Sequence, residues 1–187
     1  MLKPVLDTLD TLKGKLFMMP EIVDKLHQKE NNSTDHLICW LRETEEILRK
    51  SGYAQCAEMA GLRSRILAAE FSEERRYSKK KEKIRIALEI IYDAQSVIIK
   101  LIAPMEDKVN EVRMIINQIL LIFKPSGILE YDEKYDFNVF IQGIWHMFKA
   151  NEQVGGGISK ILTFVNQSDA IRILAEEIDL EKPTHKK

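Results

Sequence analysis

Apolar residues recur every three to four positions along almost the whole chain, and strict alternation is nowhere sustained. That period belongs to helices with one buried face, so the expectation is an all-α fold. Leu2, Leu6, Leu9, Leu12 and Leu16 form a first stripe, with Pro4 suited to an opening turn. Pro20 opens a second segment, with Ile22, Val23 and Leu26 on one face, that runs out in the polar stretch QKENNST. Ser33 or Thr34 is placed to cap a helix carrying Leu37, Ile38, Leu41, Ile47 and Leu48. Arg49 and Lys50 fall in its last turn and Gly52 lies just beyond, the usual signals of a helix end. A helix from about Tyr53 to Phe71, with Cys56, Met59, Ala60, Ile66 and Leu67 inward, completes an antiparallel hairpin.

From Leu62 to Ser126 glycine is absent, and Pro104 is the sole proline before Pro125. The pattern predicts two long helices, Glu73 to Ala103 and Met105 to Phe123, turning back on each other at Pro104, with Ser72 as a cap and break before the first. An acidic connector, ILEYDEKYD, follows KPSG. Then come an aromatic helix, FNVFIQGIWHMFKA, an interruption at VGGG, the segment ISKILTFVN, and a last helix opened by Gln167, Ser168 and Asp169 and running through Leu180. The expected fold class is therefore an all-α, multi-helix up-and-down bundle with one long antiparallel helical hairpin (about 73–103 and 105–123). A single domain over 1–182 with a tail at 183–187 is the simplest division.

Composition changes this picture little. The 187 residues are 45% apolar and 30% charged, enough to bury a core without disulfides or metals. A formal charge of -1 supplies no global field to draw the molecule to polyanions, so any such affinity must be local. Asp7 and Asp10 interrupt what would be the apolar run of a secretory signal. Residues 84–103 carry Arg85, Glu89, Asp93 and Lys100, and MIINQILLIF is about half the length of a membrane span. The expectation is a soluble cytoplasmic protein with no membrane contact, whose Cys39 and Cys56 are free thiols.

Catalytic signatures are missing. A carboxylate-bridged dimetal centre needs two Glu-x-x-His pairs, and the nearest approach is one Asp24…His27. His36, Cys39 and Cys56 fall short of the four ligands of a structural zinc site. Neither cysteine stands in an electropositive setting that would activate a thiol, and His146 between Trp145 and Met147 reads as a packed or edge histidine. Gly155, Gly156 and Gly157 lack the lysine spacing of a phosphate loop and read as a hinge or tight connection, with an anion site at a helix start as the lesser alternative. Phe137, Phe140, Trp145 and Phe148 share helical spacing with Val139, Ile141 and Ile144, which describes a buried face rather than a stacking platform. No metal, cofactor or catalytic residue is expected.

One stretch stands out: EERRYSKKKEKIR, residues 73–85, holds seven cations in thirteen positions. Arg75, Arg76, Lys79 and Lys83 fall within about 100° of one another on a helix, with Lys80 beside them. These five form a candidate patch for an anion or an acidic partner. A helix of 31 residues returning as one of 19 at Pro104 leaves those basic turns overhanging by roughly 18 Å. The acidic connector, with Glu130, Asp132, Glu133 and Asp136, is then expected alongside as a counter-segment. Between Ile84 and Ile102 apolar residues cover most of the circumference, so this helix is central or buried in an oligomer. The expected function is a non-enzymatic adaptor or assembly protein that binds a protein partner, or itself as a homodimer, through helix faces. The alternative is a nucleic-acid-associated protein using residues 75–85.

Overall fold

The computed structural model describes residues 3–69, 76–132 and 134–178. Those residues form α-helices and no strand, so the chain is all-α. By contact it divides into two compact units, Asp7–Pro104 and a second made of Met105–Lys187 with Met1–Leu6, where the sequence pattern suggested one bundle over 1–182. The tail at 183–187 lies outside the described residues.

The leucine stripe becomes α1 (Leu6–Phe17), which from Asp7 onward belongs to the first unit and buries Leu9 and Leu12 there. Pro20 sits in the first turn of α2 (Met19–His27), where its missing N–H costs nothing. Helix α3 (Ser33–Ser51) ends at Gly52, whose φ of 76° is the left-handed conformation that glycine adopts without a Cβ clash. The Gly52 N–H donates to the Arg49 carbonyl and the Tyr53 N–H to that of Leu48, which closes the helix as a Schellman motif. The short turn then lays α4 (Cys56–Ala68) against α3. Helix α4 is shorter than the expected Tyr53–Phe71; the cap and break placed at Ser72 lie outside the described residues.

The predicted hairpin is not formed. One helix, α5 (Arg76–Phe123), is 48 residues long and has Pro104 inside it. Proline removes the bond to the carbonyl of Lys100, but Lys100, Ala103 and Pro104 are all exposed, so that carbonyl can turn to water. On the opposite face Leu101, Ile102, Met105 and Val109 are buried, and that packing outweighs the local penalty.

In the second unit α5 gives way to a 3-10 turn, Lys124–Ser126, and then to Gly127 at φ 71°. Helix α6 (Phe137–Ala150) matches its expected bounds because Asp136 caps it, accepting from the N–H groups of Asn138 at 2.8 Å and Val139 at 3.1 Å. Helix α7 (Gly155–Phe164) begins with the three glycines, so they are a first helical turn rather than a hinge. A Cβ on Gly157 would stand 3.3 Å from Ile119 Cδ1 and 3.4 Å from Ile115 Cγ2, and glycine is what allows α7 to approach α5 this closely. Helix α8 (Gln167–Glu177) is capped by Asn166, and its buried Asp169 accepts the Val5 N–H at 2.6 Å. Trp145 and Phe148 fill the core, with the Phe148 ring stacked 5.0 Å from Phe123.

Candidate functional site

Two surfaces carry the features singled out by the sequence. In the Asp7–Pro104 unit, the start of α5 meets the loop between α2 and α3. A cleft of about 530 Å³ opens there, lined among others by Asn31, Ser33, Thr34, Lys79, Lys80 and Lys83. Lys80 Nζ donates to Asn31 Oδ1 at 3.0 Å, and Lys83 Nζ lies 3.6 Å from Asp35 Oδ1. Arg76 begins α5, but its side chain, like all of Arg75, is outside the described residues. Lys81 and Arg85 point elsewhere; hydrogen bonding to Glu82, reinforced by Glu89, pushes the Arg85 pKa upward.

The patch is therefore less cationic than its sequence. Glu30 and Asp35 share the cleft with the three lysines. The acidic connector was expected to supply that counter-charge, on the premise of a return at Pro104 that does not occur. Its residues work within their own unit instead. Asp136 caps α6, Asp132 Oδ1 accepts the Lys134 N–H at 3.1 Å, and Glu130 lines a different cleft. Glu133 lies outside the described residues. Tyr131 anchors the connector through ring contacts with Phe137 and Phe140.

The second surface belongs to the 105–178 unit. Helix α5 turns Met114, Leu121 and Ile122 to solvent, with exposed Asn117 and Gln118 between them. A cleft of about 410 Å³ adjoins Leu121 and is lined by Leu120, Leu129 and Ile178, with Lys124, Glu130 and Glu177 at its polar edge. The central stretch of this helix face carries no charge, which is the pattern of an interface core rather than of a solvated face. Tyr92 and Ile99 are the corresponding exposed residues of α5 in the other unit.

Compared with family models, curated proteins and solved structures, the chain gives no match. Functional argument rests on chemistry alone. Among the described residues no group of three His, Cys, Asp or Glu side chains is placed to hold a metal. Both cysteines are free and half-buried rather than fully packed, and Cys39 Sγ lies 3.4 Å from Glu43 Oε1. His146 is exposed beside buried Trp145. No described helix is long and apolar enough to cross a membrane.

Sequence reasoning found the lysines but not Asn31, Ser33 and Thr34, which complete the first cleft. Their signal was the run NNST at the start of a long helix, read only as a cap. Asn32 occupies the cap position with no side-chain bond, while Ser33 Oγ donates to the Glu30 carbonyl at 3.0 Å.

Proposed function

We propose that the protein is a non-enzymatic cytoplasmic interaction module that offers a helix face of its 105–178 unit to a protein partner. One observation carries this reading: the uncharged α5 face on which Met114, Leu121 and Ile122 are 56%, 69% and 47% exposed, beside a cleft whose apolar wall is Leu120, Leu129 and Ile178. Large side chains clustered this way keep an unfavourable contact with water that a docked helix removes, at roughly 25 cal/mol per Å² buried. Gln118 then lies within the covered area, where an uncharged amide is easier to desolvate than lysine or glutamate, while Asn117 at its edge already donates to Glu177 Oε2 at 2.6 Å.

Site-specific photo-crosslinking tests the reading. A photoreactive residue at position 121 is expected to give an adduct in cells, with none from exposed position 108 on the same helix. An adduct of twice 21.7 kDa identifies the partner as a second copy. If position 121 gives no adduct and sedimentation shows only the 21.7 kDa monomer, the proposal fails.

The nucleic-acid alternative is weaker. Affinity for a polyanion needs several cations free to release counterions, whereas Lys80 and Lys83 already contact Asn31 and Asp35 and the cleft contains two carboxylates. Titration with DNA and RNA at two salt concentrations is expected to show little affinity at physiological salt.

A further inference from the structure

We infer that two copies of this chain associate by docking the acidic connector of each into a basic, apolar-floored hollow on the other. The pairing uses neither Met114 nor Leu121, so it stands whether or not the α5 face of the 105–178 unit docks a partner.

The hollow lies in the Asp7–Pro104 unit, on the side of α5 that Lys81 and Arg85 face. Its volume is about 320 Å³, with buried Ile84 and half-buried Leu88 as its floor and exposed Lys29, Lys80, Lys81 and Arg85 as its rim. Arg85 is neutralised by Glu82 and Glu89. The other three ammonium groups have no carboxylate partner among the described residues, and the bond from Lys80 to Asn31 fixes its charge in place without cancelling it. Like charges around an apolar floor repel one another, and a carboxylate arriving beside an apolar side chain relieves both the repulsion and the wetted floor.

Lys29 is a second, independent observation. It ends α2 in a Schellman motif, its N–H donating to the Leu26 carbonyl at 3.1 Å and the Glu30 N–H to that of Lys25 at 3.2 Å. At φ 56° it is the one non-glycine residue with positive φ among the described residues, in the position that Gly52 fills at the end of α3. A Cβ is strained there and glycine would suit the fold better; what lysine adds is an ammonium on the rim.

The chain itself carries a segment of complementary chemistry. In the connector between α5 and α6, Ile128 is 42% exposed and Glu130, two positions on, is exposed as well. The Glu130 carboxylate forms no ion pair among the described residues, whereas Asp132 lies 3.8 Å from Lys134 and Asp136 caps α6. Three carboxylates against Lys134 leave the described connector at about -2, and four cations against Glu82 and Glu89 leave the hollow at about +2. Ile128 then meets Ile84 and Leu88 while Glu130 enters among the lysines. In a two-fold dimer this contact is made twice, which lets an individually weak, exposed ionic contact hold two chains together.

Sedimentation equilibrium of the full-length protein tests the inference. The mass should rise reversibly with concentration from 21.7 kDa towards twice that value, and raising the salt should weaken association roughly tenfold. Lys81→Glu and Glu130→Lys, both at exposed positions, should each weaken it about tenfold. Mixed in equal amounts the two variants should associate as the parent does, because the mixed dimer has one parental contact and one with its charges exchanged. Lys29→Gly should raise the melting temperature by relieving the strained backbone, yet weaken association about threefold. A protein that stays at 21.7 kDa at every concentration overturns the inference, as does a mixture of the two reversals that remains monomeric. An association that neither salt nor either reversal changes also overturns it, since that is the behaviour of an apolar contact such as the α5 face.

Discussion

Each unit buries one tryptophan, and the two are handled differently. Trp40, 2% exposed in the Asp7–Pro104 unit, donates its indole N–H to the Lys15 carbonyl at 3.0 Å, in the last turn of α1. Trp145, 0% exposed in the 105–178 unit, has an indole N–H with no acceptor among the described residues. The contrast extends beyond the tryptophans. Of the described buried polar residues, Thr8, Ser33, Thr34, Thr44 and Glu45 lie in the first unit and Asp169 alone in the second. One unit is specified by polar pairing inside its core, the other by the shapes of packed apolar groups.

The largest test of this contrast is Arg63→Met. Glu45 is 6% exposed and held by Arg63 at 3.0 Å and by Arg49, so losing one cation leaves a buried carboxylate half compensated. Urea denaturation should show a loss of about 2–3 kcal/mol. A loss below the error of the fit would mean that charge pairing does not hold this unit. In the other unit shape is the counterpart. Gly157→Val places carbon against Ile119 and Ile115 and should cost about 1–3 kcal/mol, whereas Gly156→Ala, with nothing within 4 Å of its Cβ, should stabilise by about 0.5–1 kcal/mol. Thermal melts in which the two glycines respond alike would remove the argument for close packing at Gly157.

The tryptophans provide a smaller and cleaner comparison. Trp40→Phe and Trp145→Phe lose the same volume, but only the first loses a hydrogen bond, so it should be the more destabilising by about 1 kcal/mol. Each variant leaves a single indole whose fluorescence reports the other unit. The smallest effect concerns acid. Hydrogen bonding to Lys15, then to Cys39, holds the Glu43 carboxyl below its ordinary value of 4.5. A lowered carboxylate pKa contributes stability that is complete above the unfolded value and is lost as pH falls through the folded one. Replacing Lys15 with methionine should therefore lower the melting temperature at pH 6 slightly, with the difference from the parent disappearing as pH falls through the lowered carboxyl pKa and shrinking in high salt.

What the sequence conveyed follows the range of the interactions involved. Helix α6 matched residue for residue, since Asp136 caps it from one position away, and Gly52 closed α3 through bonds spanning five residues or fewer. Pro104 was misread because its local penalty is offset by side chains packed on the far side of the helix. The three glycines were misread because the reason for Gly157 lies at Ile115 and Ile119, about forty positions earlier. The candidate cleft divides along the same line. Lys79, Lys80 and Lys83 share a face that a helical wheel displays, whereas their meeting with Asn31 and Thr34 is created by folding across nearly fifty residues.

The bond from Val5 to Asp169 has a consequence in time. It joins positions 164 residues apart, and Asp169 is made only after most of the chain has left the ribosome. Helices α1 to α4 can pair locally as they emerge, while the unit that includes the Val5 contact must wait for the last helix before its core closes. Ordered synthesis thus leaves the apolar face of the Met105–Phe123 stretch of α5 waiting longer for its cover than those of α6 and α7. Pulsed hydrogen exchange during refolding should find the Val5 amide among the last to gain protection, together with those of α8.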